Sequence, residues 1–139
     1  MLETPPSIRG PFELLESVEA SEATLFLTYN ANLSFFERVA YREIRRQQAV
    51  ATVVSDPQKT SADPTLVTGA GARYVSGFGA CDGGMPFHPK LIVVASRTHA
   101  SIAIGSGNLT LSGWYGNDEI WTMIHATESE VPSTVADVA

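Results

Sequence analysis

Two short apolar runs standing one turn apart constrain this chain more than any other feature. Residues 90–96 read KLIVVAS and residues 101–104 read SIAI, with Arg97, Thr98 and His99 between them. Short β-branched and apolar runs bounded by polar turn residues form strands, being too brief for buried helices. A connection this short makes the two strands antiparallel, as a hairpin. The chain must therefore be built around a sheet. One end of the hairpin must bring the residues just before 90 beside those just after 104.

The first half alternates helix and strand. In PFELLESVEA (11–20), Phe12, Leu15 and Val18 recur at helical spacing with Leu14 beside them, and Pro11 suits a first turn. ATLFLTY (23–29) reads as a buried strand broken by Asn30-Ala31-Asn32. Ser34 and Glu37 have the spacing of a capping box, predicting a helix to about Gln48 that buries Phe35, Val39 and Ile44. Ala49–Val54 is the next strand, stopped by Asp56-Pro57. Strand, helix and strand with short connections make a right-handed βαβ unit. Residues 57–71 read as loop and Ala72–Phe78 as a short strand. Gly77, Gly79, Gly83 and Gly84 form a flexible lead to His88. Gly105–Asn117 is a Gly/Ser/Asn-rich connection, and EIWTMIH (119–125) is a final strand. The expected fold class is α/β, a mixed β-sheet flanked by α-helices, in a single domain over 1–139. Residues 1–10 form an extended lead-in and 127–139 a polar tail, as at the N-terminal part of a longer protein.

Of 139 residues, 44% are hydrophobic and 17% charged, which suits one soluble core. The net charge of -6 does not advertise a nucleic-acid partner. A basic cluster exists, Arg38, Arg42, Arg45 and Arg46, of a kind more often found on a solvated helix face than in a DNA groove. The lone Cys81 makes no internal disulfide. With His99 in a turn and His125 at a strand end, it gives no metal-ligand spacing, so no metal or other cofactor is expected. Neither a secretory leader nor an apolar run long enough to span a bilayer is present, so the expectation is a cytoplasmic protein with no membrane partner.

Chemistry concentrates at the open end of the hairpin. In extended backbone, residues i and i+2 face the same way, so His88 and Lys90 aim an imidazole and an ammonium into one space. A phosphodiester needs both: a group to attack phosphorus and a charge on the non-bridging oxygens. The returning strand brings Gly105-Ser106-Gly107-Asn108 back near His88. Gly105 and Gly107 allow a close backbone approach, and Ser106 and Asn108 offer a hydroxyl and an amide to anionic oxygens. Glu119 supplies a carboxylate able to fix the His88 tautomer. Trp114 and Tyr115, just behind, suit stacking on a base, sealing a dimer or capping the core. Asn30 and Asn32 follow the first strand, where a crevice could form.

His88-x-Lys90, then Gly105-Ser106-x-Asn108, then Glu119, resembles the HKD motif of the phospholipase D superfamily. FHPKLIVV, IAIGSGNLT and NDEI look most like its single-motif bacterial nucleases and metal-independent restriction endonucleases. The match is good over His88–Glu119 and loose over the βαβ start. The resemblance implies that His88 is phosphorylated or acts as acid, that Lys90 and Asn108 hold phosphate with Ser106 beside them, and that Glu119 orients His88. Many members carry an aspartate five residues after the lysine, a structural residue; here Ala95 stands there. The family also implies two motif copies per site, supplied by a homodimer or by a downstream segment, with a two-fold homodimer expected. The implied activity is metal-independent hydrolysis of nucleic acid, DNA ahead of RNA. The alternatives are a non-hydrolytic recognition or dimerisation module and, third, lipid head-group transfer.

Overall fold

The computed structural model describes residues 9–127; the expected lead-in before residue 9 and tail beyond 127 lie outside them. Helix α1 (Pro11–Ser17) opens on Pro11, and Glu13 in its first turn accepts the Arg9 backbone N–H at 2.7 Å. Strand β1 (Ala23–Thr28) leads to a two-residue strand β2 (Ala31–Asn32) and helices α2 (Leu33–Arg38) and α3 (Ala40–Arg46). Then come β3 (Val50–Ser55), β4 (Thr60–Ser61), β5 (Val75–Phe78), a 3-10 turn at Asp82–Gly84, β6 (Lys90–Ala95) and β7 (His99–Gly105). One turn of π-helix at Ser112–Gly116 precedes β8 (Trp121–Thr127).

Six strands form one sheet in the order β5-β3-β1-β6-β7-β8, and β2 pairs with β4 in a second, minimal sheet. β1, β3 and β5 are mutually parallel, while β6, β7 and β8 run antiparallel. The sheet is mixed, as the sequence requires: a helical crossover joins β1 to β3, and tight turns join the later strands. Side chains alternate across it. Thr24, Phe26, Ala51, Val53, Ile92 and Val94 are buried on the face that meets the helices. Leu25, Leu27, Val54, Leu91 and Val93 on the other face are half-buried. The core joins Phe26 edge-on to Phe36 at 5.3 Å and Phe35 edge-on to Trp114 at 5.5 Å. Each buried aromatic contributes roughly 2–3 kcal/mol.

The helix predicted from Ser34 to Gln48 is two helices, parted at Val39 (φ -113, ψ -74). Its cap is Asn32, whose side chain accepts the Phe35 N–H at 2.9 Å. Cross-links made before Ser34 move the start forward. Ala31 N–H donates to the Lys59 carbonyl and Asn32 N–H to the Leu109 carbonyl. The helix therefore begins at once, on an asparagine well suited to capping. Glu37 closes no capping box; its carboxylate accepts the Thr68 and Gly69 N–H groups and the Tyr74 hydroxyl. Glu119 lies just before β8 rather than on it, and His99 is the first residue of β7.

Candidate active site

One edge of the sheet collects the ends that matter. Lys90 at the start of β6 lies opposite Thr28 at the end of β1. The last pair of the β6–β7 ladder is Leu91 with Ile104, and Gly105 beyond it pairs with Trp121. Parallel β1 and β3 both finish here, Thr28 beside Ser55. Segments 29–32 and 56–59 therefore rim the same edge, the carboxyl end of parallel strands where crevices form.

The expectation that His88 and Lys90 share a space holds. Lys90 Nζ sits 2.9 Å from His88 Nδ1 and 3.4 Å from Nε2. An ammonium has only protons to give, so in this contact the facing ring nitrogen accepts. The Tyr29 ring lies against His88 with centroids 4.2 Å apart, and Lys90 Nζ is 5.7 Å from the Tyr29 centroid. Burial lowers the Lys90 pKa, and the Glu119 charge opposes that in part.

Asn108 is oriented by backbone. Its Oδ1 accepts the Asn30 N–H at 3.0 Å. Since an N–H must meet the oxygen, the amide cannot be flipped, and Nδ2 is left without a protein hydrogen bond among the described residues. Thr28 tightens the junction: its hydroxyl donates to the Asn30 carbonyl at 2.9 Å and accepts the Leu109 N–H at 3.1 Å. Asn30 thus serves through its main chain, and Asn32 as a helix cap.

Glu119 accepts hydrogen bonds from the Ser106 hydroxyl and, at 3.2 Å, from Asn117 Nδ2. The Ser106 bond, then Asn117, then the Lys90 charge hold its pKa below the usual carboxylate value. Ser106 also accepts the Ile120 N–H at 2.9 Å, so its proton is committed to Glu119. No hydrogen bond joins Glu119 to His88 among the described residues; within one chain the ring takes its position from Tyr29 and Lys90. The glycines also have a packing reason. A Cβ on Gly107 would fall 2.6 Å from both the Gly113 carbonyl and the Trp121 ring, and one on Gly105 would strike the same ring.

Sequence reasoning missed Tyr29, Thr28 and Lys59, whose Nζ lies 6.0 Å from the Tyr29 centroid. Only the position of Tyr29 at the end of a strand signalled it. Trp114 is buried in the core, whereas Tyr115 is exposed. Arg38, Arg42 and Arg46 line a groove with Phe12 and Tyr115 on the helical layer, and Arg46 pairs with Glu43 at 2.6 Å. Cys81 is exposed, and no three His, Cys, Asp or Glu side chains gather as metal ligands among the described residues. No described helix is long and apolar enough to cross a membrane.

No protein-family model matches the chain, and no curated protein sequence does. Solved structures do. Nuc from Salmonella typhimurium, a phospholipase D family member, superposes with a TM-score of 0.61 at 13% identity, over 91% of this chain and 80% of that one. NucT from Helicobacter pylori gives 0.56 at 13% identity over the same shares. A yeast tyrosyl-DNA phosphodiesterase variant gives 0.50 at 15% identity, over 70% of this chain and 24% of that one. At these identities the likeness establishes the fold, which is phospholipase D-like, as the motif residues implied.

Proposed function

We propose, on the premise of that fold, that the chain is a metal-independent phosphodiesterase cleaving nucleic acid, DNA ahead of RNA, at a site completed by a second copy of the motif. The observation that carries the reading is the set of groups where the parallel strands end: an exposed imidazole, an ammonium hydrogen-bonded to it, and the Asn108 Nδ2, which has no protein partner among the described residues. The names Nuc and tyrosyl-DNA phosphodiesterase point to phosphodiester chemistry on nucleic acid and support the substrate class.

The reaction balances as two in-line displacements. A His88 nitrogen attacks phosphorus, the P–O bond to the leaving group breaks, and the second motif's histidine gives that oxygen a proton. Water, deprotonated by the same second histidine, then attacks the phosphohistidine and restores His88. Lys90 and Asn108 neutralise the equatorial oxygens through both steps. Binding phosphate draws Lys90 from the ring nitrogen toward the anion, freeing the imidazole. Ser106 and Glu119 act as positioning residues: Ser106 holds the carboxylate, Glu119 sustains the Lys90 charge, and its orienting of His88 belongs to the assembled two-motif site. A homodimer supplies the second motif.

The test is cleavage of DNA in excess EDTA. Full activity is expected, and strict dependence on added magnesium would overturn the mechanism. A binding module without hydrolysis is favoured by the acidic net charge of -6, which suits one weakly used nucleic-acid face better than a processing enzyme. It would bind DNA equally well after His88→Ala and cleave none.

A further inference from the structure

A cleft of about 450 Å³ opens between segments 56–58 and 79–86, with Tyr29 in its wall. Tyr29 stands in both places: its ring lies against His88 and also walls the cleft. We infer that this cleft is the subsite for the nucleoside next to the scissile phosphate, and that Lys59 holds the following phosphate. This rests on the phosphodiesterase reading and names what the diester carries.

A phosphodiester has an organic group on each side of phosphorus, and this cleft, reached from His88 across Tyr29, has room for one of them. Its volume lies in the range of small-ligand pockets and far exceeds what a phosphate fills. Tyr29, Pro57, Met85 and Pro86 offer flat, apolar surfaces, with the exposed Gln58 at the rim. Met85 is 68% exposed and Tyr29 only partly covered, so the platform stands open. A planar ring with a polar edge suits these walls, as bases suit aromatic platforms in strand-binding proteins. The carboxylate among the lining residues, Asp56, is spent: it accepts the Gln58 N–H at 2.8 Å and the Phe87 N–H at 2.9 Å. Lys59 and Lys90 both lie within 6.0 Å of the Tyr29 centroid, and Lys59 has no carboxylate partner among the described residues. Two cations within 6.0 Å of one aromatic ring suit a sugar–phosphate chain that carries a base and two successive phosphates.

Fluorescence anisotropy tests this with a labelled short oligothymidylate and its abasic counterpart, both phosphorothioate to block hydrolysis. The full chain should bind the base-bearing probe about tenfold tighter. Ala80→Trp, which fills the cleft, should erase that preference and leave abasic binding unchanged. Lys59→Gln should weaken both probes alike and reduce the salt slope by about one. Should the tryptophan variant fail to fold, Met85→Ala should cut the preference several-fold. Equal binding of the two probes, or a preference that survives these cleft variants, overturns the subsite; an unchanged Lys59→Gln overturns its phosphate contact. Turnover of methyl p-nitrophenyl phosphate reads the other hypothesis separately. Its absence with the base preference intact sinks hydrolysis and leaves the subsite standing, and the converse result does the opposite.

Discussion

The two ends of the hairpin sheet each hold an exposed histidine hydrogen-bonded to a side chain, yet the partners differ in kind. At the far end, His125 on β8 pairs across the ladder with Ser101 on β7, and its Nδ1 bonds the Ser101 hydroxyl. On paper that is a nucleophile with its base. The hydroxyl, however, is fully buried, with Ser17 Oγ 3.4 Å away. No substrate reaches it. At the near end, His88 is exposed, with Tyr29 against its ring and Lys90 on its nitrogen, and the loops after β1 and β7 meet where Asn108 accepts the Asn30 N–H. The contrast teaches that a site is marked by polar groups left uncommitted where chain ends converge, rather than by a residue pair.

The largest expected effect breaks or upholds that contrast directly. His88→Ala should cost at least roughly 10²–10⁴ in DNA turnover, the worth of an acid-base group, with circular dichroism unchanged. His125→Ala should leave turnover where it was. Equal losses in both variants would show that the two ends are not different in kind. Next in size is Asn108→Asp. It keeps an oxygen for the Asn30 N–H but puts negative charge where Nδ2 stood. A drop in kcat/KM of roughly 10²–10³ is expected, as when an oxyanion donor is removed. Unaltered kinetics would mean that Nδ2 faces no anion.

Much of this was legible in the residues. Period-two alternation and short apolar runs gave the strands of the main sheet, and the i, i+2 rule placed His88 beside Lys90 because it needs only local extended backbone. What escaped depends on contacts between distant segments. The start of α2 moved from Ser34 to Asn32 because Leu109 and Lys59 bind the chain just ahead of it. Glu37 was drawn from its own helix to the 68–69 backbone. Burial works to raise the Glu37 pKa, but the Thr68, Gly69 and Tyr74 donors outweigh it. Tyr29 carries no motif and becomes visible only when β6 pairs with β1 and sets His88 against its ring. The packing role of Gly105 and Gly107 is hidden for the same reason, since nothing local announces that Trp121 folds over them.

A subtler effect concerns the near end alone. The Ser106 hydroxyl is the leading cause of the lowered Glu119 pKa. A lowered value means that the carboxylate stays ionised to more acid pH. Ser106→Ala should return it toward the ordinary value, moving the acid limb of the kcat/KM profile to higher pH with a smaller loss at neutral pH. An unmoved acid limb would separate Glu119 from catalysis.

The smallest effect is expected where the chemistry looks most suggestive. Ser101→Ala removes the hydroxyl from the His125 pair and the Ser17 contact but opens a gap of one oxygen atom only. His125 is exposed and regains water as a partner, while the Ser17 hydroxyl still donates to the Leu14 carbonyl at 2.7 Å. The loss should be near 1 kcal/mol, that of one ordinary hydrogen bond. In a domain this size it would lower Tm by about 4 °C. Turnover at a temperature well below Tm should not change, because Ser101 and Gly105 lie toward opposite ends of the same strand. A fall in turnover without a matching fall in Tm would mean that the β7 ladder transmits the far end to the donors around His88, and the two ends could no longer be treated as separate.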